Sequence, residues 1–396
     1  MFPTDVVIVA GMRTPMARYT GSFSDVSAID LGAHAARAAI QKSGVPGTDF
    51  DHVVFGNVLQ TSADAIYGAR HVGLKAGLKI ETPAVTVNRL CGSGIEAIIQ
   101  GAQRLLLGEA NMVLAGGMEN MTQAPFVIRG ARAGLKLGGG ALEDFLFVGL
   151  TDSYCGMPMA LTAEKLAEQA GVTRMDADEY ALRSQQAADA AAKAGFFNQE
   201  ISPVEVRQGR KAIVVSEDDH RRPETTMETL QKLAPSFKKD GMVTAGNASG
   251  IVDGAAAVVV TRERTARERG LKPEGRITSW AVAGVDPTIM GIGPVPASRK
   301  ALKEAGLTLS QMDRIEVNEA FAAQYLAVEK ELSLPREKTN VNGGAIALGH
   351  PLGASGTRLV ITVLNELRRK GLRYGLVTAC IGGGQGIAMV IEALEN

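Results

Sequence analysis

The chain has 396 residues, a formal net charge of zero at pH 7 and 45% hydrophobic residues, as expected for a globular protein of about two or three domains. A neutral chain has no overall attraction to nucleic acid or to an anionic membrane, and it contains no apolar run of transmembrane length. Three cysteines, an odd number, argue against a disulfide framework and predict a reducing compartment. The strand-like residues 5–9 leave no room for a signal peptide, so we expect a cytoplasmic location, or the mitochondrial matrix in a eukaryote.

The first 120 residues alternate short apolar stretches with amphipathic ones. The predicted elements are strands at residues 6–10, 51–58 and 111–117 and helices at residues 29–40 and 68–76. The first helix is alanine-rich and is expected to end at Gly44. Strands that alternate with helices indicate an α/β fold with a mainly parallel sheet.

Residues 85–94 place a cysteine where a strand turns into a helix. The stretch begins with alternating β-branched residues, turns at Gly92 and Gly94, and continues with apolar residues at helical spacing. Unpaired N–H groups and the positive end of the helix dipole converge at such a turn. We therefore expect a lowered pKa for the Cys91 thiol, which would make it a nucleophile. A small buried cysteine packed under a turn is the alternative.

The last third of the chain runs through the same order of elements. The matching segments are residues 312–318 with 50–56, residues 339–356 with 87–94, and residues 376–384 with 113–117. Two copies of one βα unit, packed together about an approximate twofold axis, are the simplest interpretation. Chance similarity between two generic α/β halves is the alternative.

The region between the copies is rich in glycine, proline and charge, with predicted helices at residues 162–170 and 173–194. The predicted units are a first half (residues 1–120 and 250–272), a loop domain (residues 121–249) and a second half (residues 273–396). An insertion of this length usually builds a binding surface rather than more core. Its basic residues are interspersed with acids and predict a solvated face, from which a few arginines could bind phosphate groups.

A histidine and another cysteine lie in glycine-rich loops of the second half. His350 stands between Gly349 and Pro351 just before a helix, and Cys380 ends a strand in a loop with free N–H groups that could favour a thiolate. If the halves repeat, both residues meet Cys91 at one sheet edge, where α/β sites form. The histidine could then accept the thiol proton, and the second thiol could move another proton. A redox pair and a zinc site are alternatives, but the spacings typical of either are missing, so no metal is expected.

These motifs resemble those of the thiolase family from end to end of the chain. They are N-R-L-C-G-S-G at 88–94, N-E-A-F-A at 318–322, N-V-N-G-G-A-I-A-L-G-H-P-L-G at 340–353 and C-I-G-G-G-Q-G at 380–386. Residues 150–162 and 237–241 are most similar to mitochondrial-type 3-ketoacyl-CoA thiolases. The resemblance implies a five-layer αβαβα fold built from two repeated βα halves with an inserted loop domain. It also implies reversible thiolytic cleavage of 3-ketoacyl-CoA, as in fatty acid β-oxidation.

The resemblance further implies a role for each site residue. Cys91 would carry the acyl group as a thioester, His350 would activate it, and Cys380 would move the α-proton. Asn318, through a water, and His350 would bind the enolate oxygen, while the N–H groups of Cys91 and Gly382 would form a second oxyanion hole. Coenzyme A, acetyl-CoA and acyl-CoA are the implied substrates, with no separate cofactor. The implied coenzyme A contacts are Met159, Arg222, Thr225, Thr229, Leu233, Phe237, Ser249, Met290 and Phe321.

Assembly and specificity are also suggested by the resemblance. A dimer or a dimer of dimers is implied, and the glycine-rich residues 130–140 resemble the loop that joins dimers; a disordered surface loop is the alternative. Residues 157–159 read Met-Pro-Met where many short-chain biosynthetic members have an aromatic-His-Met sequence, which favours acyl chains beyond acetoacetyl-CoA. An acetoacetyl-CoA-specific thiolase and a non-catalytic acyl-CoA-binding protein are alternatives. Ketoacyl synthases and hydroxymethylglutaryl-CoA synthases replace the second cysteine, so Cys380 argues against them.

Overall fold

The computed structural model describes residues 4–394. The first half begins with β1 (Val6–Arg13), β2 (Ala17–Arg18), α1 (Ala28–Ser43), β3 (His52–Gly56), α2 (Gly68–Lys75), β4 (Ala84–Val87), α3 (Ser93–Leu106) and β5 (Met112–Glu119). The inserted region contains β6 (Phe126–Val127), β7 (Glu143–Asp144), α4 (Phe145–Gly149), β8 (Thr151–Asp152), β9 (Met157–Pro158), α5 (Met159–Ala170), α6 (Arg174–Lys193), β10 (Val204–Gln208), β11 (Lys211–Val215) and α7 (Met227–Gln231). The remaining elements are β12 (Val252–Arg262), α8 (Glu263–Glu268), β13 (Gly275–Gly284), α9 (Pro294–Ala305), β14 (Arg314–Val317), α10 (Ala322–Leu332), α11 (Ala345–Leu348), α12 (Leu352–Lys370), β15 (Tyr374–Ile381) and β16 (Gln385–Ala393).

Helix boundaries follow local capping chemistry. Ser27 caps α1 by accepting a hydrogen bond from the N–H of Asp30, and Gly44 ends the helix with φ of 70°, as predicted. Thr173 and Asp176 form a capping box at the start of α6. These ends are therefore determined by side chains that are visible in the sequence.

Within residues 4–394 the main sheet has ten strands in the order β14-β15-β16-β13-β1-β12-β5-β3-β4, with β2 on β12. Strand β3 runs parallel to β4 and β5, and β14 runs parallel to β15. Strands β12, β1, β13 and β16 pair antiparallel with their neighbours. The expectation of a mainly parallel sheet is wrong, because each half closes with long strands that return in the opposite direction.

The two halves share one strand order. In the first half it is β4-β3-β5-β12-β1, and in the second β14-β15-β16-β13, with Thr339 forming a parallel bridge to Ile315 where β4 would lie. A short antiparallel pairing of Val7 and Ile8 with Gly275 and Arg276 joins the halves. The predicted duplication is thus confirmed as a property of the fold.

Three apolar clusters separate the layers. One packs α1 and α2 on the outer face of the first half, and another packs α9 and α10 on the outer face of the second. Between the two halves of the main sheet lies the central cluster, built from α3, α12 and the inner strand faces, including Ile98, Val258, Leu359 and Met389. Burying each such side chain contributes about 1.5–3 kcal/mol. The layers are therefore helix, sheet, helix, sheet, helix.

The two central helices meet backbone to backbone near their first turns. A Cβ atom on Gly94 would lie 2.5 Å from the backbone nitrogen of Thr357, and one on Gly356 would lie 2.5 Å from that of Ile95. Because no side chain fits at either glycine, α3 and α12 begin in direct contact. This contact brings Cys91, before α3, and His350, before α12, to the same end of the central layer.

The inserted region is anchored to β1 by a buried ion network. Arg13 donates from Nε to Glu200 at 2.8 Å and from Nη1 and Nη2 to the two oxygens of Asp218 at 2.7 and 2.8 Å. Asp218 also accepts a hydrogen bond from the backbone N–H of Met16. All three charged side chains are buried, so the network fixes the inserted region on the first half.

Among residues 4–394, no helix has both the length and the apolar character needed to span a membrane.

Replacing Arg13 by Met would leave the carboxylates of Glu200 and Asp218 buried without their cation. We expect the free energy of unfolding to fall by about 3–5 kcal/mol, the usual loss when one partner of a buried ion pair is removed. Urea unfolding followed by circular dichroism measures this loss.

The matched control is Arg264→Met, which removes an arginine from an exposed helical pair with Glu268. Solvent screens that pair, so we expect no measurable change in its unfolding midpoint. Equal losses in the two variants would contradict an anchoring role for Arg13.

Candidate active site

Cys91 lies on a strained turn between β4 and α3. The preceding residue, Leu90, has a φ of 46°, which a branched side chain rarely adopts. Asn88 Oδ1 accepts a hydrogen bond from the N–H of Leu90, and Ser93 Oγ accepts one from the N–H of Arg89, each at 2.9 Å. These side chains hold the turn and so fix the direction of the Cys91 side chain.

The Cys91 thiol is uncharged at rest. It packs beside the apolar side chains of Met121, Leu146 and Leu352, and this burial raises its pKa to about 11. The N–H of Gly382 and the N–H of Cys91 itself donate toward the sulfur and lower the pKa, but by less. The expectation of a lowered pKa is therefore wrong, because exclusion of water outweighs the helix terminus. The thiol consequently needs a base to become a nucleophile.

His350 is fixed by the loop that carries it. Gly349 has a φ of 90°, and a Cβ atom there would lie 2.2 Å from a methyl group of Val252. The N–H of His350 donates to the carbonyl of Gly250 at 2.9 Å. The loop that carries His350 is thus held against Gly250 and Val252, at the start of β12.

The hydrogen bonds of the imidazole select one tautomer. Ser355 Oγ donates to the carbonyl of Pro351 at 3.0 Å, so it accepts from His350 Nδ1–H, which lies 2.6 Å away. Nε2 then carries the lone pair and lies 3.3 Å from Asn318 Nδ2. Burial, and to a smaller extent the charge of Arg358, lower the pKa of His350 to about 3. The ring is therefore neutral, with a proton acceptor at Nε2.

Asn318 follows β14 and retains one unused polar atom. Its N–H donates to the carbonyl of Thr378 at 2.9 Å, while its Oδ1 is buried with no hydrogen-bond partner among the described residues. The next residue, Glu319, accepts hydrogen bonds from Tyr180, Ser184 and Asn340, which fixes this strand end. Asn318 Oδ1 is consequently available to hold a water or a ligand.

Cys380 lies within β15, opposite Gly386, and is fully buried beside Met290 and Ala320. Burial raises the pKa of its thiol, and the neighbouring Cys91 raises it further. The expectation that a loop rich in N–H groups would favour a thiolate is therefore wrong, because exclusion of water outweighs the backbone hydrogen bond to the sulfur, which lowers the pKa by less. The Cys91 turn touches this strand end, since a Cβ atom on Gly92 would lie 2.6 Å from Ile381.

Two adjoining cavities lead to these residues and share Ala245. The inner cavity, about 500 Å³, is mostly apolar and is lined by Cys91 and His350. The implied coenzyme A contacts along it are Met159, Phe237, Ser249, Met290 and Phe321. The outer cavity, about 200 Å³, has more polar walls, and the implied contacts along it are Arg222, Thr225, Thr229 and Leu233. Every implied contact therefore lines one of the two cavities, whereas Asn318, Cys380 and Gly382 lie behind the wall.

Sequence reasoning missed several residues of this site. Ser355 sets the imidazole tautomer. Its position five residues after His350, in the first turn of α12, could have indicated this contact from the sequence. Glu119, the charged end of a fully buried strand, was also missed. Leu146 and Phe147 line the cavity from a segment without any motif. Within residues 4–394 no cluster of His, Cys, Asp or Glu could hold a metal ion.

Comparisons with known proteins show which family the chain is similar to. The family models of the thiolase N-terminal and C-terminal domains match residues 6–264 and 271–393. The human mitochondrial 3-ketoacyl-CoA thiolase is 54% identical over 98% of each chain, and the acetyl-CoA acetyltransferase of Pseudomonas aeruginosa is 48% identical over 98% of this chain and 99% of the relative. The crystal structure of the human enzyme in complex with CoA superposes with a TM-score of 0.96, covering 98% of each chain at 54% identity. The chain therefore belongs to the thiolase family, and its sequence is similar to those of the mitochondrial 3-ketoacyl-CoA thiolases.

Proposed function

We propose that this protein catalyses the reversible thiolytic cleavage of 3-ketoacyl-CoA by coenzyme A, giving acyl-CoA and acetyl-CoA. The observation that supports it most is that a thiol and a neutral imidazole with its lone pair at Nε2 line one apolar cavity, while a second thiol is buried behind its wall against Met290 and Ala320. A non-catalytic acyl-CoA-binding protein would have no use for that arrangement.

The first half of the reaction forms an acyl-enzyme. His350 Nε2 takes the proton of Cys91, and the thiolate attacks the β-carbonyl carbon of the substrate. The negative charge moves to the carbonyl oxygen, where the N–H groups of Cys91 and Gly382 stabilise it. The bond between the α- and β-carbons then breaks, and the α-carbon of the leaving acetyl-CoA enolate takes a proton from Cys380. The imidazolium of His350 and a water on Asn318 stabilise the enolate oxygen.

The second half returns every group to its starting state. The thiol of coenzyme A gives its proton to the Cys380 thiolate and attacks the acyl carbon on Cys91. The Cys91 sulfur leaves and regains its proton from His350. Acyl-CoA departs, and both thiols and the imidazole are neutral again, so no metal or redox cofactor is consumed or required.

Substrate placement follows from the two cavities. The outer cavity offers Arg222, Thr225 and Thr229 to the polar nucleotide end of coenzyme A. Ser249 and the apolar walls of Met159 and Phe321 then flank the path toward Cys91. The thioester would therefore arrive at the nucleophile from the inserted region.

An acetoacetyl-CoA-specific enzyme is the second candidate, since one relative is named acetyl-CoA acetyltransferase. The extra apolar wall formed by Met121, Leu146 and Leu150 favours longer acyl chains. Each buried CH₂ group contributes about 0.8 kcal/mol, so we expect kcat/KM for thiolysis to rise by up to about fourfold per added CH₂ until the cavity is filled. Steady-state rates across straight-chain 3-ketoacyl-CoAs measure this.

Leu146→Trp is the matched variant for chain length. It should reduce turnover of medium chains more than acetoacetyl-CoA cleavage, because the larger side chain fills space that a longer acyl chain would need; since Leu146 also packs beside Cys91, the ratio of the two rates is the readout. A wild-type preference for acetoacetyl-CoA would support the second candidate instead.

The roles of the two thiols can be separated in one variant, Cys380→Ala. Incubation with acetyl-CoA, digestion and mass measurement should find acetyl on the Cys91 peptide in both the wild type and the variant. Exchange of solvent deuterium into the methyl group of acetyl-CoA should fall by about 10²–10⁴-fold in the variant, because the positioned base is gone.

Two results would overturn these assignments. Acetyl found on Cys155 or Cys380 but not on Cys91 would remove Cys91 as the nucleophile. Normal deuterium exchange in Cys380→Ala would mean that His350 or another group is the α-proton base.

We further propose a homotetramer built from two dimers, located in the mitochondrial matrix of a eukaryote or the cytoplasm of a prokaryote. The segment around residues 130–140 exposes Phe126, Leu135, Leu137 and Leu142, an apolar surface that a second dimer could cover. Sedimentation equilibrium at micromolar concentration should give a tetramer for the wild type and a dimer for Leu137→Asp. A wild-type dimer would contradict the proposal.

A further inference from the structure

Glu119, the last residue of β5, is a fully buried carboxylate surrounded by donors. Its Oε1 accepts hydrogen bonds from Asn57 Nδ2 and from the N–H of Leu59, each at 3.0 Å. Its Oε2 accepts from the N–H of Val58 at 3.2 Å and from the N–H of Gly353 at 2.8 Å. Both oxygens are therefore used to hold backbone from separate parts of the chain.

One chain of hydrogen bonds connects the Glu119 carboxylate to the turn that carries Cys91. Val58, held through its N–H, accepts at its carbonyl a hydrogen bond from Asn88 Nδ2 at 3.3 Å. Asn88 in turn accepts the N–H of Leu90, the strained residue before Cys91. The Glu119 carboxylate is thus connected to the Cys91 turn through Val58 and Asn88.

The hydrogen bond from Gly353 connects the same carboxylate to the loop that carries His350. Gly353 lies in the first turn of α12, three residues after His350. A Cβ atom on Gly353 would lie 2.6 Å from the carbonyl of Met118, so this turn is pressed onto the end of β5. A shift of Gly353 away from Glu119 would therefore move the loop that carries His350.

Packing alone does not account for a carboxylate at this position. Burial raises the pKa of Glu119 to about 7, and the nearby charge of Asp253 also raises it. A buried charge costs free energy that an apolar side chain of similar size would not. Glu119 lines neither cavity, so contact with substrate does not explain it either.

We propose that Glu119 is a positioning residue. By holding the β3 loop (residues 57–59) and the first turn of α12 together, it sets the spacing between the Cys91 thiol and His350 Nε2. The inference rests on the proposed function, because it concerns the proton transfer that activates Cys91. An error of about 1 Å in such a spacing can cost about 10²-fold in rate.

Glu119→Gln tests the proposal with little change in volume. In either orientation of the glutamine amide, its NH₂ group would face N–H groups from which the carboxylate oxygen had accepted hydrogen bonds. We express kcat for thiolysis per active site, counting only the sites that acetyl-CoA can acetylate. We expect this kcat to fall by about 10–100-fold, while KM for coenzyme A stays within about twofold of wild type. The rate of Cys91 acetylation should fall by the same factor as kcat.

The readout per acetylatable site separates positioning from folding. A purely structural role would reduce the number of active sites and leave kcat per site unchanged, and that result would overturn the proposal. Absence of acetyl on Cys91 in the wild type would overturn the proposed function instead.

Asp51→Asn is the control, because Asp51 accepts the N–H groups of Asn111 and Met112 at the opposite end of β5. It should retain wild-type kcat per site. If Glu119→Gln does not fold, Asn57→Ala removes one donor and leaves the carboxylate in place. It should lower kcat per site with KM unchanged, and an unchanged kcat there would reject the proposal.

Discussion

The structure depends on the direct contact between the first turns of α3 and α12. Gly94 and Gly356 allow the two backbones to approach so closely that any side chain would clash. Cys91 precedes one helix and His350 precedes the other, so the contact brings both residues to one end of the central layer, where they line the same cavity. The strand ends carrying Asn318 and Cys380 then close the same end of the central layer, as the strand order of the duplicated halves requires.

Low polarity determines the chemistry of the site. The apolar walls around Cys91 raise its pKa, the surroundings of His350 lower that of the imidazole, and the interior raises that of Cys380. All three groups are therefore neutral before substrate binds. In the proposed reaction, charge would develop only as the substrate carbonyl accepts it, next to N–H donors that are already oriented, and such preorganised donors are more effective away from water.

Much of the site could be predicted because motifs preserve chemistry at fixed spacings. Cys91, His350 and Cys380 each stand in a glycine-rich segment, and residues 312–318 echo residues 50–56 closely enough to reveal the duplication. The charge states of the thiols could not be predicted in this way. A helix terminus is visible in a sequence, whereas the apolar cluster of Met121, Leu146 and Leu352 around Cys91 assembles from distant segments.

The sequence by itself determined many of the elements, the ends of α1 and α6, the repeat and the candidate reactive residues, because these depend on local backbone preferences and on residue type. The tertiary structure decided the mixed strand directions, the tautomer of His350 and the neutral state of the thiols. It also decided that Glu119 joins the β3 loop to α12, across 234 residues of chain. Such long-range contacts depend on which surfaces pack together, and the desolvation that results from packing has no signature in any single stretch of sequence.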